Sequence, residues 1–323
     1  MTRSARRVLA PALVLAAAIA PLPSQEQLPP ALQGDILDPA QRSRPAITPQ
    51  IQQALDRLAA ESRDNPGDAL KLGQYGLALV RVGQIEQGMA ALTRAAGMAP
   101  DDPRVMLYHA KGLWKANRPS EAADAALKAA RSPLATHSVA SEANFVAGTI
   151  RSRQGSFKEA ESLLRESLRL DPANGGALLN LGLLLIARGE RAQGLAQLEN
   201  AALRDPDNPG VLSALARVME ASGKLDRALE LWERVVRLVP RDPEARSVLG
   251  EHYLSRRRYD AAAEQFAVAV EVRPADANAH ALYAQALLNL GRLDEAQREA
   301  AQAARLGSTE AEQLLQSIEA RRR

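Results

Sequence analysis

Residues 178–206 read LLNLGLLLIARGERAQGLAQLENAALRDP, and the same pattern returns 34 residues later in 212–240, LSALARVMEASGKLDRALELWERVVRLVP. In each copy, a run of helix-favouring residues leads to a glycine such as Gly189, and a second run ends at a proline such as Pro206. Glycine ends a helix by adopting a positive φ, and proline biases the residue before it away from helix. Each copy therefore predicts two helices joined by a tight turn.

The same period extends along most of the chain, as internal repeats require. Prolines recur at intervals of 34 residues, at Pro172, Pro206, Pro240 and Pro274. Two columns of small residues keep this register: Gly148, Gly182, Ala216, Gly250 and Ala284 in one, and Ala160, Gly194, Ala228, Ala262 and Ala296 in the other. Small side chains at both columns would let neighbouring helices approach closely. Towards the N-terminus the step from Ala110 to Gly148 is 38, which predicts a four-residue insertion within 132–140.

Local signals mark several helix ends. Asn208 followed by Pro209 offers a cap and a first-turn proline for the next helix. Ser156 and Glu159 have the spacing of a capping box. Asn117 stands where other units have the turn glycine, and asparagine tolerates the same left-handed conformation.

The repeated units resemble tetratricopeptide repeats, and residues 281–306 (ALYAQALLNLGRLDEAQREAAQAARL) carry the same pattern. The resemblance covers seven units, at 69–102, 103–136, 141–174, 175–208, 209–242, 243–276 and 277–310. It implies an all-α, right-handed superhelical solenoid of helix–turn–helix repeats. Terminal units of such an array need shielding, so 48–66 and 311–323 are predicted to be capping helices. Some positions depart from the family pattern: Asn144, Arg246 and His280 replace a large apolar residue, and Leu134 and Ser308 replace the closing proline.

The N-terminal 47 residues differ from the repeats. Arg3, Arg6 and Arg7 precede an apolar run at 8–20, which is typical of a secretory signal peptide at 1–20. The run is shorter than the roughly 20 residues of a spanning helix, but an uncleaved membrane anchor remains the alternative. Residues 21–47 contain six prolines and predict a disordered linker. We therefore expect the repeats in the periplasm or another extracytoplasmic space, either free or attached to the inner membrane.

Composition excludes several kinds of chemistry. The chain has no cysteine, which rules out disulfides, thiolate metal sites and cysteine nucleophiles. Without the three leader arginines, 38 Lys and Arg balance 38 Asp and Glu, so we expect no nucleic-acid partner. The four histidines, His109, His137, His252 and His280, lack a second histidine three or four residues away. Since no nucleophile or phosphate-binding motif is present either, we expect no catalytic, cofactor or metal site.

In tetratricopeptide arrays, the first helix of each unit lines a concave groove that binds peptides or partner helices. The resemblance places these residues of the second and third units there: Arg104, Leu107, Tyr108, Lys111, Trp114, Lys115, Glu142, Phe145, Thr149 and Arg153. Aromatic and basic residues are enriched in binding hot spots. For Trp114 and Phe145, packing between helices is the alternative. Further along, the corresponding residues are Arg217, Glu220, Glu244 and Glu251, which would make the later part of the groove more acidic.

The sequence favours an exported, non-catalytic scaffold that holds a protein or peptide partner during assembly at a bacterial envelope. The alternative is an accessory subunit that binds a peptide or glycan for an associated envelope enzyme. A structural spacer without a partner is a third hypothesis. The sequence does not identify the partner.

Overall fold

A computed structural model describes residues 47–322, so the predicted leader at 1–20 and all but Ile47 of the predicted linker at 21–47 lie outside the described residues. Within 47–322 the regular structure consists of sixteen α-helices without a strand. The helices follow one another as hairpins joined by short turns. The predicted all-α fold of successive helical repeats is therefore confirmed.

The chain divides into two compact units between Val211 and Leu212. Nine helices lie in the first unit: α1 Pro49–Asp64, α2 Ala69–Arg81, α3 Ile85–Met98, α4 Pro103–Lys115, α5 Pro119–Arg131, α6 His137–Arg153, α7 Phe157–Leu170, α8 Gly175–Ala187 and α9 Arg191–Arg204. Helix α10, Pro209–Ala221, spans the division, and most of it belongs to the second unit. That unit continues with α11 Leu225–Leu238, α12 Pro243–Ser255, α13 Tyr259–Val272, α14 Ala277–Asn289, α15 Leu293–Arg305 and α16 Ala311–Arg322.

In the first unit, hairpins α2–α3, α4–α5, α6–α7 and α8–α9 pack in chain order. The small-residue columns bring the two helices of a hairpin into backbone contact. A Cβ added at Gly182 would lie 2.9 Å from the carbonyl oxygen of Gly194. Alanines at the corresponding positions of other hairpins, such as Ala110 and Ala122, are fully buried. The larger side chains, including Phe145 and Leu164, fill the space between hairpins.

The second unit has its own core, in which Trp232, Phe266 and Leu287 are almost fully buried. Helix α16 packs against α15 and α14 and buries Ala311 and Ile318. In the first unit, helix α1 covers the start of the first repeat in a similar way, since Leu55 and Leu58 pack with Leu77. These terminal helices shield apolar faces that would otherwise meet water.

The turn inside each hairpin needs a left-handed residue, as predicted. Gly189 has φ of 89° and Asn117 has φ of 58°. Arg257 adopts φ of 57° at the same place in its unit, although a Cβ disfavours this conformation. Asn117 and Arg257 are the two non-glycine residues with positive φ in the described part of the chain.

The four inserted residues lengthen a helix. Helix α6 has 17 residues, whereas α4 and α8 each have 13. The connection before it is only 132–136, and the Thr136 hydroxyl caps α6 by accepting from the Val139 N–H. Insertion within the first turn of a helix adds one full turn and keeps the rest of the repeat in register.

Two predicted caps have different outcomes. The Asn208 carboxamide oxygen accepts from the N–H groups of Gly210 and Val211, so this predicted cap is confirmed. The capping box at Ser156 is wrong, because Ser156 makes no side-chain hydrogen bond to the helix end. Glu159, the predicted partner of Ser156, instead accepts a hydrogen bond from the Arg151 side chain at 3.1 Å.

Among residues 47–322, no helix combines the length and apolar character needed to cross a membrane.

Candidate interaction face

The predicted site residues lie mainly on α4 and α6, the first helices of the second and third repeats. On α4, Tyr108, Lys111 and Lys115 are three to four residues apart and therefore share one side of the helix. This side carries the contacts between α4 and the first helices of neighbouring repeats. Several of the predicted residues consequently hold the repeats together.

Lys111 is the clearest example. Its Nζ lies 3.0 Å from the Glu142 carboxylate, and the two residues are only 3% and 6% exposed. The pair joins α4 to α6. Removal of two charges from water is costly, and a close partner of opposite charge compensates for it. Lys111 is therefore part of a buried ion pair between repeats.

Leu107 and Phe145 are also buried, and Phe145 is only 2% exposed. The Phe145 ring rests on Gly176 at the start of α8, where an added Cβ would lie 2.7 Å from the ring. The glycine leaves the space that the ring occupies. The sequence leaves open whether Phe145 lines the groove or packs between helices, because residue spacing alone does not fix the direction of a side chain. In this structure Phe145 packs between helices.

Thr149 and Glu142 are buried as well. The Thr149 hydroxyl donates to the Phe145 carbonyl oxygen and accepts from the Asn180 side-chain amide at 2.7 Å. This links α6 to α8 by a polar contact. The first helices of successive repeats are thus linked by polar contacts. An ion pair joins α6 to α4, and hydrogen bonds through Thr149 join α6 to α8.

Trp114 and Arg153 remain half-exposed at the C-terminal ends of α4 and α6. The Arg153 guanidinium lies 5.4 Å from the centroid of the Trp114 ring, within cation–π distance. Trp114 also packs against the core beneath it. One side of its ring system therefore contributes to stability, and the side chain is partly exposed.

Tyr108 is likewise half-buried and lies against α2. A Cβ added at Gly73 would approach the Tyr108 ring to 3.2 Å. Tyr108 therefore lies over a glycine of the first repeat and leaves part of its ring accessible.

Arg104 is separated from the other cations. It lies in the first turn of α4, eleven residues from Lys115, which corresponds to about 16 Å along a helix. Its guanidinium pairs with Asp102 at 3.0 Å. Burial disfavours the charged Asp102, but the hydrogen bonds from the Arg104 side chain and backbone outweigh it and hold the pKa of Asp102 below its usual 3.8. Arg104 therefore stabilises the start of α4.

A third cation was missed by reasoning from the sequence. Arg81, Lys115 and Arg153 occupy the same place in three successive repeats, at the ends of α2, α4 and α6, and all three are half-exposed. The sequence shows this series as a basic residue that recurs after 34 and then 38 positions. The series ends in the fourth repeat, where Ala187 occupies the same place. We refer to Arg81, Tyr108, Trp114, Lys115 and Arg153 as the aromatic–basic face.

Two of the three acidic residues predicted for later repeats have side-chain partners within the second unit. Arg217 forms an ion pair with Glu244 and lies over the Trp232 ring at 5.8 Å. Glu220 accepts a hydrogen bond from Trp232 Nε1 at 2.8 Å and contacts His252 Nε2 at 2.7 Å. Two of the acids, Glu220 and Glu244, are thus bound to other side chains, and Glu251 is exposed.

The polar side chains that replace apolar residues of the family pattern have hydrogen-bond partners within their own helical hairpins. His280 is 7% exposed, and its ring nitrogens face the Glu299 carboxylate at 2.6 Å and the Pro274 carbonyl oxygen at 3.2 Å. Asn144 donates to the Ala140 carbonyl oxygen, and Arg246 donates to Gln265. Residues 47–322 contain no group of three His, Cys, Asp or Glu side chains placed to hold a metal ion.

Comparisons with known proteins agree with the repeat pattern. One tetratricopeptide repeat family model matches residues 153–218, and a second matches 75–138, 213–271 and 249–311. A search of curated proteins finds no match.

Solved structures share the fold at low sequence identity. The Cut9–Hcn1 hetero-tetramer of the APC/C matches with a TM-score of 0.63 and 17% identity over 83% of this chain and 52% of that chain. The human IFIT1 dimer with PPP-AAAA matches with a TM-score of 0.53 and 15% identity over 80% of this chain and 69% of that chain. The chain thus spans about half the length of the first of these proteins, and both likenesses concern the fold.

Proposed function

Because this chain belongs to the tetratricopeptide repeat family, we propose that it is a non-catalytic scaffold of the bacterial envelope that binds an extended acidic segment of a partner protein. The fold itself implies a protein–protein interaction scaffold. The location and the class of partner are the parts that we add. The observation that carries the proposal is the aromatic–basic face.

The composition of this face suits an extended acidic ligand. Trp114 and Tyr108 offer amphipathic rings, which supply apolar contact area at a binding site. Arg81, Lys115 and Arg153 lie on successive first helices, and packed helices are roughly 8–10 Å apart. A ligand in the polyproline II conformation has three residues per turn and advances about 3.1 Å per residue, so carboxylates three residues apart project from the same side and would match neighbouring cations. Favourable charge would also speed the encounter.

The N-terminal sequence supports a location outside the cytoplasm. Three arginines precede a short apolar run, and a proline-rich stretch separates that run from the first helix. An exported chain of this kind would present its repeats to envelope proteins. An uncleaved leader would also attach it to the membrane.

Partner capture tests the scaffold role. A tagged full-length chain is incubated with an envelope extract, crosslinked and purified beside the Lys115→Glu variant. We expect one partner to be enriched with the wild-type chain and reduced with the variant, because charge reversal repels an acidic segment. Enrichment that does not change in the variant would contradict the aromatic–basic face as the contact. Binding of isolated short peptides or glycans without any protein would favour the accessory-subunit alternative.

A reporter fusion tests export. Residues 1–47 are fused to an enzyme that is active only outside the cytoplasm, and a matched fusion carries Leu13→Arg and Leu15→Arg in the apolar run. We expect activity with the natural sequence and none with the matched fusion. An inactive natural fusion that accumulates inside the cell would count against an envelope location.

A further inference from the structure

The aromatic–basic face has a candidate ligand in the same polypeptide. Residues 21–40 contain Glu26, Asp35 and Asp38 but no lysine or arginine. Two of these acids flank an apolar pair in the sequence Asp35-Ile36-Leu37-Asp38. An apolar pair between two carboxylates has the composition that the aromatic–basic face is suited to bind. We propose that this acidic segment, residues 35–38, docks in cis on the aromatic–basic face and competes with the partner.

The spacing of the charges agrees with this proposal. Asp35 and Asp38 are three residues apart, so in a polyproline II conformation their carboxylates would project from the same side, about 9 Å apart. Cations at the same place in neighbouring first helices are separated by roughly 8–10 Å. Two carboxylates of the segment would therefore reach two successive members of the series Arg81, Lys115 and Arg153.

The topology places the segment at the correct end of the repeats. Helices α1 and α2 form a hairpin with a turn of only four residues, so the N-terminus of α1 lies beside the C-terminus of α2. The first helices α4 and α6 each follow the complete hairpin of the repeat before, so α2, α4 and α6 run in the same direction. Their C-terminal turns carry Arg81, Lys115 and Arg153. The chain therefore enters α1 at the end where the cations lie.

The segment is also long enough to reach them. Thr48, the cap of α1, lies ten positions after Asp38, and this stretch spans at most about 35 Å when extended. The ends of α4 and α6 are two to three helix spacings from α1, roughly 16–30 Å. Intramolecular docking over such a distance has a high effective concentration, so modest contacts would suffice.

This inference rests on the proposed function, since it uses the same face. It adds a regulatory consequence. A partner would bind only by displacing the acidic segment, and its apparent affinity would be reduced by the fraction of molecules in which the segment is docked. Release of the segment would increase binding without any change in the repeats.

Tryptophan quenching in the full chain tests the docking. The chain has two tryptophans, and Trp232 is 1% exposed, so acrylamide quenching reports mainly on Trp114. Ile36→Ser with Leu37→Ser should raise the quenching constant at least about two-fold, because loss of two apolar anchors commonly weakens a contact more than tenfold. Leu28→Ser with Leu32→Ser, an equal apolar loss in the same stretch, is the matched control and should leave quenching unchanged.

Two results would overturn the proposal. Quenching that is the same in the wild-type chain and in the Ile36/Leu37 variant would show that the segment does not cover Trp114. A difference that grows with protein concentration would show docking on a second copy instead of in cis. The partner experiment is independent of both. If no partner is captured but the Ile36/Leu37 variant exposes Trp114, the proposed function fails and the docking stands.

Discussion

Lys111→Met is expected to lower the free energy of unfolding of the first unit by about 3–5 kcal/mol, because it leaves the buried Glu142 carboxylate without its partner. Both residues are nearly inaccessible to water, so solvent cannot replace the lost ion pair. The loss should appear as faster amide hydrogen exchange in α4, α5 and α6. Chemical denaturation should show it as an earlier unfolding transition.

Two further variants make this expectation specific. Lys111→Met combined with Glu142→Leu should recover most of the lost stability, since replacement of a whole buried pair by apolar residues is often neutral. Arg57→Met removes one member of an exposed pair, Arg57–Glu61, and should cost less than about 1 kcal/mol. If Lys111→Met costs no more than Arg57→Met, the pair is not a structural link between α4 and α6.

Trp114→Ala is expected to weaken partner binding about thirty-fold, or ~2 kcal/mol, which is the usual loss for a central aromatic anchor. Trp114 provides the largest ring of the aromatic–basic face and is stacked under Arg153. Lys115→Ala should act mainly on the association rate and on its salt dependence, because a cation at the edge of a site chiefly steers the encounter. Calorimetric titration and stopped-flow kinetics measure these two effects separately.

The stability of the Trp114 variant has to be measured first. The Trp114 ring also packs against core residues of the first unit, so part of the effect could come from unfolding. Circular dichroism and melting of Trp114→Ala are the control. If this substitution unfolds the repeats, Trp114 is a core residue and its role as a binding anchor is contradicted.

The helical hairpins were predictable from the sequence because the features that make them are local and repeated. The turn residue, the closing proline and the two small-residue columns recur at one spacing, so each unit supports the interpretation of the next. Even the substitution of Asn117 for glycine was predictable, since only its backbone conformation matters. Arg257 occupies the same turn position in its unit, but nothing in the sequence indicates that it would adopt the same conformation.

The candidate site was less predictable, because residue spacing along a helix does not show how much of a side chain the next repeat buries. Phe145 is buried because Gly176 in the following repeat leaves room for its ring. Lys111 is buried because Glu142 is close enough to neutralise it. Both causes lie in another repeat. Arg81 was missed for a different reason, since it becomes notable only when the same position is compared across three repeats.

Whether Trp114 is a binding anchor on folded repeats can be measured in one titration. The captured partner, or its shortest binding segment, is titrated into the wild-type chain, Trp114→Ala and Leu203→Ala. Leu203 is the matched control, since it is an apolar residue of the first unit that is 79% exposed on α9. We expect Leu203→Ala to bind like the wild-type chain and Trp114→Ala to bind about thirty-fold more weakly. Equal affinity of all three proteins, with the repeats folded, would contradict the account.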